Sequence, residues 1–409
     1  MKNKLTKTVI TILTAACMTG CGAEHFAGQH LEGMKTEYVE AAFAYENMSQ
    51  TRDEVVPKQQ GTDIQPLNME LFDGNAVRIW KGKENTLLAQ KEDTLYLYDV
   101  VSAQIKAETQ TEHWNWVDVY PYKDGYCAIG QIIKGKPNED TASGGGPMMM
   151  VAEEMDVECM SVFYDDSLKE MRKVSLFDIV ENAEVAVWSV SPDGAMLGCF
   201  DQWEGLNLYD IQNQKKVNLL EPGDEGKCPE LLTIDAMFFD ADNSQVVFTG
   251  QTNQNGRTAA SWGRIRTDGT GLENHILQHN LGMAAGYGDG KLLLGEDSIF
   301  FKGAMGFVNQ ETGEAVYKTD LKGALPMSGP FYSDDGTIFA TAALDTNQME
   351  LTVWRTQDFS PLSKEVIQDD REEMFYRAPQ VCLFPEIRVC IVCMGGHNDI
   401  PQKAVLVHY

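Results

Sequence analysis

The stretch Ser189–Leu220, SVSPDGAMLGCFDQWEGLNLYDIQNQKKVNLL, decides the fold. Trp188-Ser189-Val190-Ser191 leads into a Pro192-Asp193-Gly194 turn. A small apolar run, Ala195 to Phe200, follows. An alternating run then ends in Leu208-Tyr209-Asp210, and after a polar turn the segment Lys216 to Leu220 reads as a last short strand. Alternation with period two, broken by Asp-Gly and polar clusters, is the pattern of strands joined by tight turns. The unit is therefore a four-stranded antiparallel meander.

The same unit recurs along the chain. Seven turn positions align: Glu84, Asp124, Asp193, Asp242, Asp289, Asp335 and Glu386. Their successive spacings are 40, 69, 49, 47, 46 and 51 residues. Only 69 stands apart, and that interval contains Lys134 to Asp156, with Gly144-Gly145-Gly146-Pro147-Met148-Met149-Met150, which has no strand pattern. Without those 23 residues the spacing is 46. A later alternating strand also recurs, at Leu95–Asp99, Met160–Asp165, Leu206–Asp210, Trp262–Thr267, Met305–Asn309, Leu351–Thr356 and Ala404–Tyr409. A period in the forties with four strands per unit is the mark of a β-propeller. The last unit stops at Tyr409 on its third strand, so an N-terminal strand, Leu67 to Phe72, is expected to supply the fourth and leave no open sheet edge at the ring junction. The expectation is an all-β propeller over 66–409, with seven four-stranded blades closed by that strand and 134–156 as a flexible insertion. Six or eight blades stay open, because the first and fifth units are weakly patterned.

Pro192-Asp193-Gly194, Tyr209-Asp210 and Thr267-Asp268-Gly269-Thr270-Gly271 resemble the repeats of TolB-like and WD40-like propellers. The resemblance spans the repeat region and implies the fold and a preference for protein partners. It brings no catalytic residue with it. The Gly-His and Trp-Asp signatures of WD40 repeats are not regularly present.

The N-terminus is of another kind. Lys2, Lys4 and Lys7 precede a mildly apolar run, Val9 to Met18, too short to span a bilayer. Met18-Thr19-Gly20-Cys21 resembles a bacterial lipoprotein signal, which implies a signal peptide over 1–20 and lipidation of Cys21. The protein is then expected at the cell envelope, on the extracytoplasmic face of a bacterial membrane, held there by acyl chains worth about 0.8 kcal/mol per buried CH₂. Residues 21–65 read as a tether, with a short amphipathic helix over Met34–Met48 carried by Val39, Ala42, Phe43 and Met48. Ser49 to Gln65 is polar linker.

The formal charge of -28 excludes general nucleic-acid binding, which needs a basic footprint. It leaves room for a cationic partner, and it also keeps the chain soluble by self-repulsion. A monomer is expected.

The residues offer no catalytic constellation. Neither a Gly-x-Ser-x-Gly elbow nor a His-Glu-x-x-His motif occurs. No catalytic residue, cofactor or metal is assigned. Asp240-Ala241-Asp242-Asn243-Ser244 begins like a calcium loop but has Gln245 and Gln251 where glycine and glutamate belong, so it reads as a turn. Beyond Cys17 and Cys21, seven cysteines remain at irregular spacing, which is no disulfide framework. Cys390-Ile391-Val392-Cys393 has redox or zinc spacing but sits inside an apolar strand and reads as core; Cys382 and Cys390 are left as a candidate cross-strand pair. Trp114, Trp116 and Trp203 are the candidate contact surface for a sugar or peptide, with inter-blade packing as the competing account of Trp114 and Trp116.

Two functions follow as expectations. The first is a non-enzymatic scaffold or sensor that binds an unidentified protein partner at the envelope. The second is a propeller enzyme (lyase or hydrolase) or a sugar- or peptide-binding protein using the mouth of the central channel.

Overall fold

Ser191, Asp193 and Gly194 show how the repeated hairpin is closed. The Asp193 carboxylate accepts from the Ser191 hydroxyl at 2.7 Å and from the Ala195 N–H at 2.9 Å, while the Ser191 hydroxyl oxygen accepts from the Met196 N–H at 2.8 Å. The same device recurs at Ser333-Asp334-Asp335-Gly336-Thr337, with bonds of 2.6, 3.0 and 3.2 Å. Gly194 and Gly336 take φ of 70° and 66°, where a side chain would be strained. The turn between third and fourth strands is tied in a similar way in blades two, three, four and six: Asp165 by Ser167, Asp210 by Asn213, Asp268 by Thr270 and Asp358 by Ser360. Short polar side chains that mimic backbone acceptors make these turns cheap to form.

These turns join strands into an all-β, seven-bladed propeller in the computed structural model. The structure describes residues 35–36, 65–66, 71, 77–111, 115–134, 156–176, 186–201, 205–220, 233–254, 257–277, 284–288, 290–295, 305–309, 312, 315–318, 327–344, 348–368, 379–394 and 403–409. From the inside outward, blade one is Arg78–Lys81, Thr86–Lys91, Thr94–Asp99 and Gln104–Gln110. Blade two is Asn115–Tyr122, Gly125–Lys134, Asp156–Asp165 and Glu170–Ser175. Blade three is Val187–Val190, Met196–Asp201, Gly205–Asp210 and Lys215–Leu220. Blade four is Thr233–Phe239, Gln245–Gln254, Arg257–Arg266 and Glu273–Ile276, with Lys35–Thr36 outside it. Blade five is Ala284–Gly288, Lys291–Gly295, Met305–Asn309 and Ala315–Lys318. Blade six is Met327–Tyr332, Ile338–Leu344, Gln348–Arg355 and Pro361–Gln368. Blade seven is Gln380–Phe384, Val389–Met394 and Lys403–His408, with Gln65–Pro66 antiparallel to the last strand.

All seven aligned turn positions fall between the first and second strands of a blade, and all seven recurring strands are third strands. The opening stretch is blade three. The insertion leaves from the tip of a long hairpin in blade two, where Lys134 still pairs with Asp156. The expected closing strand, Leu67 to Phe72, lies outside the described residues except for Leu71, which is buried against blades one and seven. Within the stretch read as helix, Lys35–Thr36 is extended and paired to blade four; the rest of that stretch lies outside the described residues. The open edge of a sheet supplies backbone partners that local propensity does not anticipate.

The core is divided among the seven junctions between neighbouring blades. One apolar cluster fills each, including the junction of blades seven and one. Middle strands are therefore buried on both faces rather than on one. In blade seven, Cys390, Val392 and Met394 face blade six, while Val389, Ile391 and Cys393 face blade one. The ring junction is also tied by polar contacts: the Ile79 N–H donates to Gln380 Oε1 at 2.9 Å, and Lys81 Nζ lies 4.8 Å from the Phe384 ring centroid.

Blades five and six approach closely at Gly288, where an added Cβ would stand 2.5 Å from the backbone nitrogen of Gly336. Gly288→Ala is expected to lower stability by about 1–3 kcal/mol, as overpacking against backbone does. Gly290→Ala, in open space at φ 65°, is expected to cost only about 1 kcal/mol. Thermal unfolding of the two variants compares them.

Candidate functional site

Successive strands of a meander run in opposite directions, so the connections leave from two ends of the ring. At one end are the tight turns just described, the longest of them 267–272. At the other end are the connections from second to third strands and from each outer strand to the next blade. These include 135–155, 221–232, 296–304, 369–379 and 395–402. Elaboration is thus confined to one end, which is where a rigid scaffold places variable binding loops. Two of the sequence-assigned tryptophans, Trp114 and Trp203, belong to connections at this end and lie outside the described residues, as do Met148, Met149, Met150 and Cys21.

Trp116 is described and is fully buried. It packs with Leu88, Leu95 and Leu97 of blade one, its ring edge-on to Tyr164 with centroids 6.4 Å apart. Its strand begins at Asn115, and a bulge between Trp116 and Asp118 shifts the register. Trp116 and Val119 consequently face blade one, while Val117, Tyr120 and Tyr122 pack toward blade three. Trp116 therefore offers no ring face to a ligand; of its two alternative roles, the structure places it in the core.

The bulge positions a residue that sequence patterning did not single out. Asp118 sits on the innermost strand of blade two. Burial pushes its carboxyl up, against hydrogen bonds from Tyr120, from the Val119 N–H at 2.9 Å and from Trp80 of blade one. The Tyr120 hydroxyl also reaches the Trp188 carbonyl of blade three at 2.9 Å. One carboxyl thus joins side chains from blades one and two, and through Tyr120 the inner strand of blade three. Blade four repeats the feature: a bulge between Ile234 and Ala236 carries Asp235, whose carboxyl burial also pushes up, partly offset by the Thr233 hydroxyl at 3.1 Å. Bulges re-aim side chains where a plain ladder would not. The signal in the sequence was an acidic residue inside an otherwise apolar inner strand, Trp116-Val117-Asp118-Val119 and Ile234-Asp235-Ala236. Near the tight-turn end, Lys81 of blade one stands 3.6 Å from Asp334 of blade six; the Asp334 side chain is 61% exposed, so solvent screens the pair. A buried carboxyl flanked by an indole and a phenol can accept a cationic or hydrogen-bond-donating group, and it holds its proton to higher pH than a free carboxyl does.

The remaining sequence candidates are structural. Asp240 and Asp242 spend their oxygens on Gln245 and Ser244 within their own turn, as expected for a turn rather than a calcium loop. Among the described residues no group of three or more His, Cys, Asp and Glu is placed to hold a metal ion. The six described cysteines are buried thiols that form no disulfide. Cys382 pairs in register with Ile391 and faces blade one, whereas Cys390 faces blade six, so these two do not form the candidate bridge. Burial pushes the Cys127 thiol up to about 12 and raises those of Cys382 and Cys390 as well.

No protein-family model and no curated protein matches the chain. Solved structures do match. The β-propeller domain of Cps50 (Swd1) from Myceliophteria thermophila superposes with a TM-score of 0.54 at 10% identity, covering 85% of this chain and 100% of that one. Hydrazine synthase of Kuenenia stuttgartiensis gives a TM-score of 0.48 at 10% identity, covering 86% of this chain and 98% of that one. At this identity the likeness to the Cps50 domain establishes the β-propeller fold alone.

Two outcomes check the site. Because the Asp118 carboxyl is raised in the folded state, the native protein holds that proton to higher pH than the unfolded chain, and stability falls as pH rises from about 4 through the folded value. Asp118→Asn is expected to flatten this part of the stability–pH curve in thermal melts, and an unchanged slope would place the titration elsewhere. The six buried thiols are expected to resist iodoacetamide in the native protein and to react on denaturation, read by mass spectrometry.

Proposed function

We propose that the chain is a non-enzymatic interaction platform: a propeller anchored by lipid on Cys21 at the extracytoplasmic face of a bacterial membrane, binding a protein partner through its loop-bearing end. The observation that carries this reading is the asymmetry of the connections. At one end every described blade closes in short turns of at most six residues, and the long connections leave only from the other. Met148-Met149-Met150 belongs to a long connection and Trp114 and Trp203 to short ones at the same end, and rigid aromatics and adaptable methionines suit a protein surface. The same connections are acidic, with Glu139, Asp140, Glu153 and Glu154 in one, Glu221, Asp224, Glu225 and Glu230 in another, and Asp369, Asp370, Glu372 and Glu373 in a third. With a formal charge of -28, they favour a partner that presents a basic face. The N-terminal segment completes the reading: its lipoprotein-like signal supports the anchor, and the pairing of Gln65–Pro66 with Val405 and Leu406 supports closure of the ring by an N-terminal strand.

A second reading, a small ligand bound on the axis, draws on Asp118 with Trp80 and Tyr120. It calls for the ligand to meet that carboxyl, so its binding would change with Asp118→Asn.

The test uses full-length protein in native membranes. Cys21→Ser is expected to abolish incorporation of labelled palmitate and release the protein from the membrane fraction. Crosslinked pull-downs are expected to recover one partner at low salt, less at high salt, and none when 135–155 is replaced by an Asn-Gly turn. Recovery indifferent to that replacement and to salt would remove the loop-bearing end from consideration.

A further inference from the structure

The outer strands of blades one and two, Gln104–Gln110 and Glu170–Ser175, are exposed along most of their length. Blade four departs from this. Its outer strand Glu273–Ile276 buries Asn274 completely and leaves His275 only 7% exposed. On its open edge lies a fifth strand, Lys35–Thr36, parallel to it, with Lys35 opposite Glu273 and Thr36 opposite Asn274. Parallel pairing cannot arise from a hairpin, so this strand is added from a distant part of the chain.

The edge is built to receive it. Trp262 lies opposite His275 in register, and the two rings stack with centroids 4.4 Å apart. Arg264 holds the Glu273 carboxylate through Nε and a terminal nitrogen, each at 2.8 Å, and His275 Nε2 is 3.6 Å from the same group. The exposed outer strands carry charges that guard against strand addition, Lys106 and Glu108 in blade one, Arg172 and Lys173 in blade two. In blade four the acidic residue Glu273 is held by Arg264, and Lys35 is the residue opposite it in register. Other groups oppose the arrangement. Neither amide atom of Asn274, neither ring nitrogen of His275 and not the Ser261 hydroxyl has a hydrogen-bond partner, and buried polar atoms left so disfavour the covered state.

We propose that the outer edge of blade four is a strand-addition site that holds the chain's own tether through Lys35–Thr36 as a releasable clip. Main-chain pairing gives the clip its hold, as in other strand additions. Asn274, the register partner of Thr36, has both amide atoms unmet, which limits that hold and makes release inexpensive. The clip does not depend on lipidation of Cys21 or on a partner at the loop-bearing end.

Hydrogen exchange read by mass spectrometry on the full-length protein in detergent tests it. The amides of 273–276 are expected to exchange more slowly than those of 104–110. The double variant Lys35→Pro, Thr36→Pro removes whichever amide faces the edge and is expected to speed exchange at 273–276 by about tenfold, the equivalent of one or two backbone hydrogen bonds. A synthetic peptide of residues 30–42, added in trans, is expected to restore the protection. Lys35→Glu keeps every backbone donor and is expected to act in the same direction more weakly. Asn274→Val removes the orphan amide and is expected to slow exchange below wild type. Exchange at 273–276 as fast as at 104–110 in the wild type, or left unchanged by both tether variants, overturns the proposal.

Discussion

Everything in this structure depends on apolar packing between one blade and the next. A four-stranded sheet cannot bury itself, and here each finds cover on both faces from its two neighbours. Full burial of one large apolar side chain stabilises by about 1.5–3 kcal/mol. Leu292 and Leu294 contribute this at the junction with blade four, while Leu293 between them contributes it at the junction with blade six. The ring is thus held by seven similar interfaces rather than one central core, and the seventh, between blades seven and one, uses the same apolar packing as the rest.

Hydrogen bonding has a different task. The Asp-centred turns fix where each strand reverses, and so which residues face which neighbour. Where a carboxylate accepts several donors its charged form is favoured. Lys106 and Ser102 hold Asp99 down to about 2, and donors from Ser167 and Lys169 lower Asp165. Carboxyls on the inner strands meet the opposite condition. Asp118 and Asp235 lose more to burial than their hydrogen bonds return, and their pKa values rise. Acidic residues thus meet two conditions in one ring, charge-favouring at the turns and proton-favouring on the inner strands.

Much of the architecture was legible in the chain because turn chemistry is local. Asp193, Asp335 and their counterparts needed only their immediate neighbours to announce a reversal, and their spacing then counted the blades. The candidate site was far less legible. Alternation cannot show that Trp116 is core, nor that the bulge beyond it aims Asp118, because a bulge is set by how neighbouring strands and sheets fit together. The strand at Lys35–Thr36 reads as helix in the sequence because its described partner, Glu273–Asn274, is remote in the chain. The opposite faces of Cys382 and Cys390 likewise follow from a register that spacing alone did not show.

The division of each strand between two interfaces has a consequence for how the chain tolerates changes in length. Adding or removing one residue inside Lys291–Gly295 or Val389–Met394 would exchange the two sets of side chains beyond it, damaging both junctions at once. The three inner strands with bulges, in blades two, four and six, are places where an extra residue has been absorbed. The connections at the loop-bearing end carry no such parity. Added or removed residues are therefore expected to be absorbed at one end of the ring and resisted inside the strands.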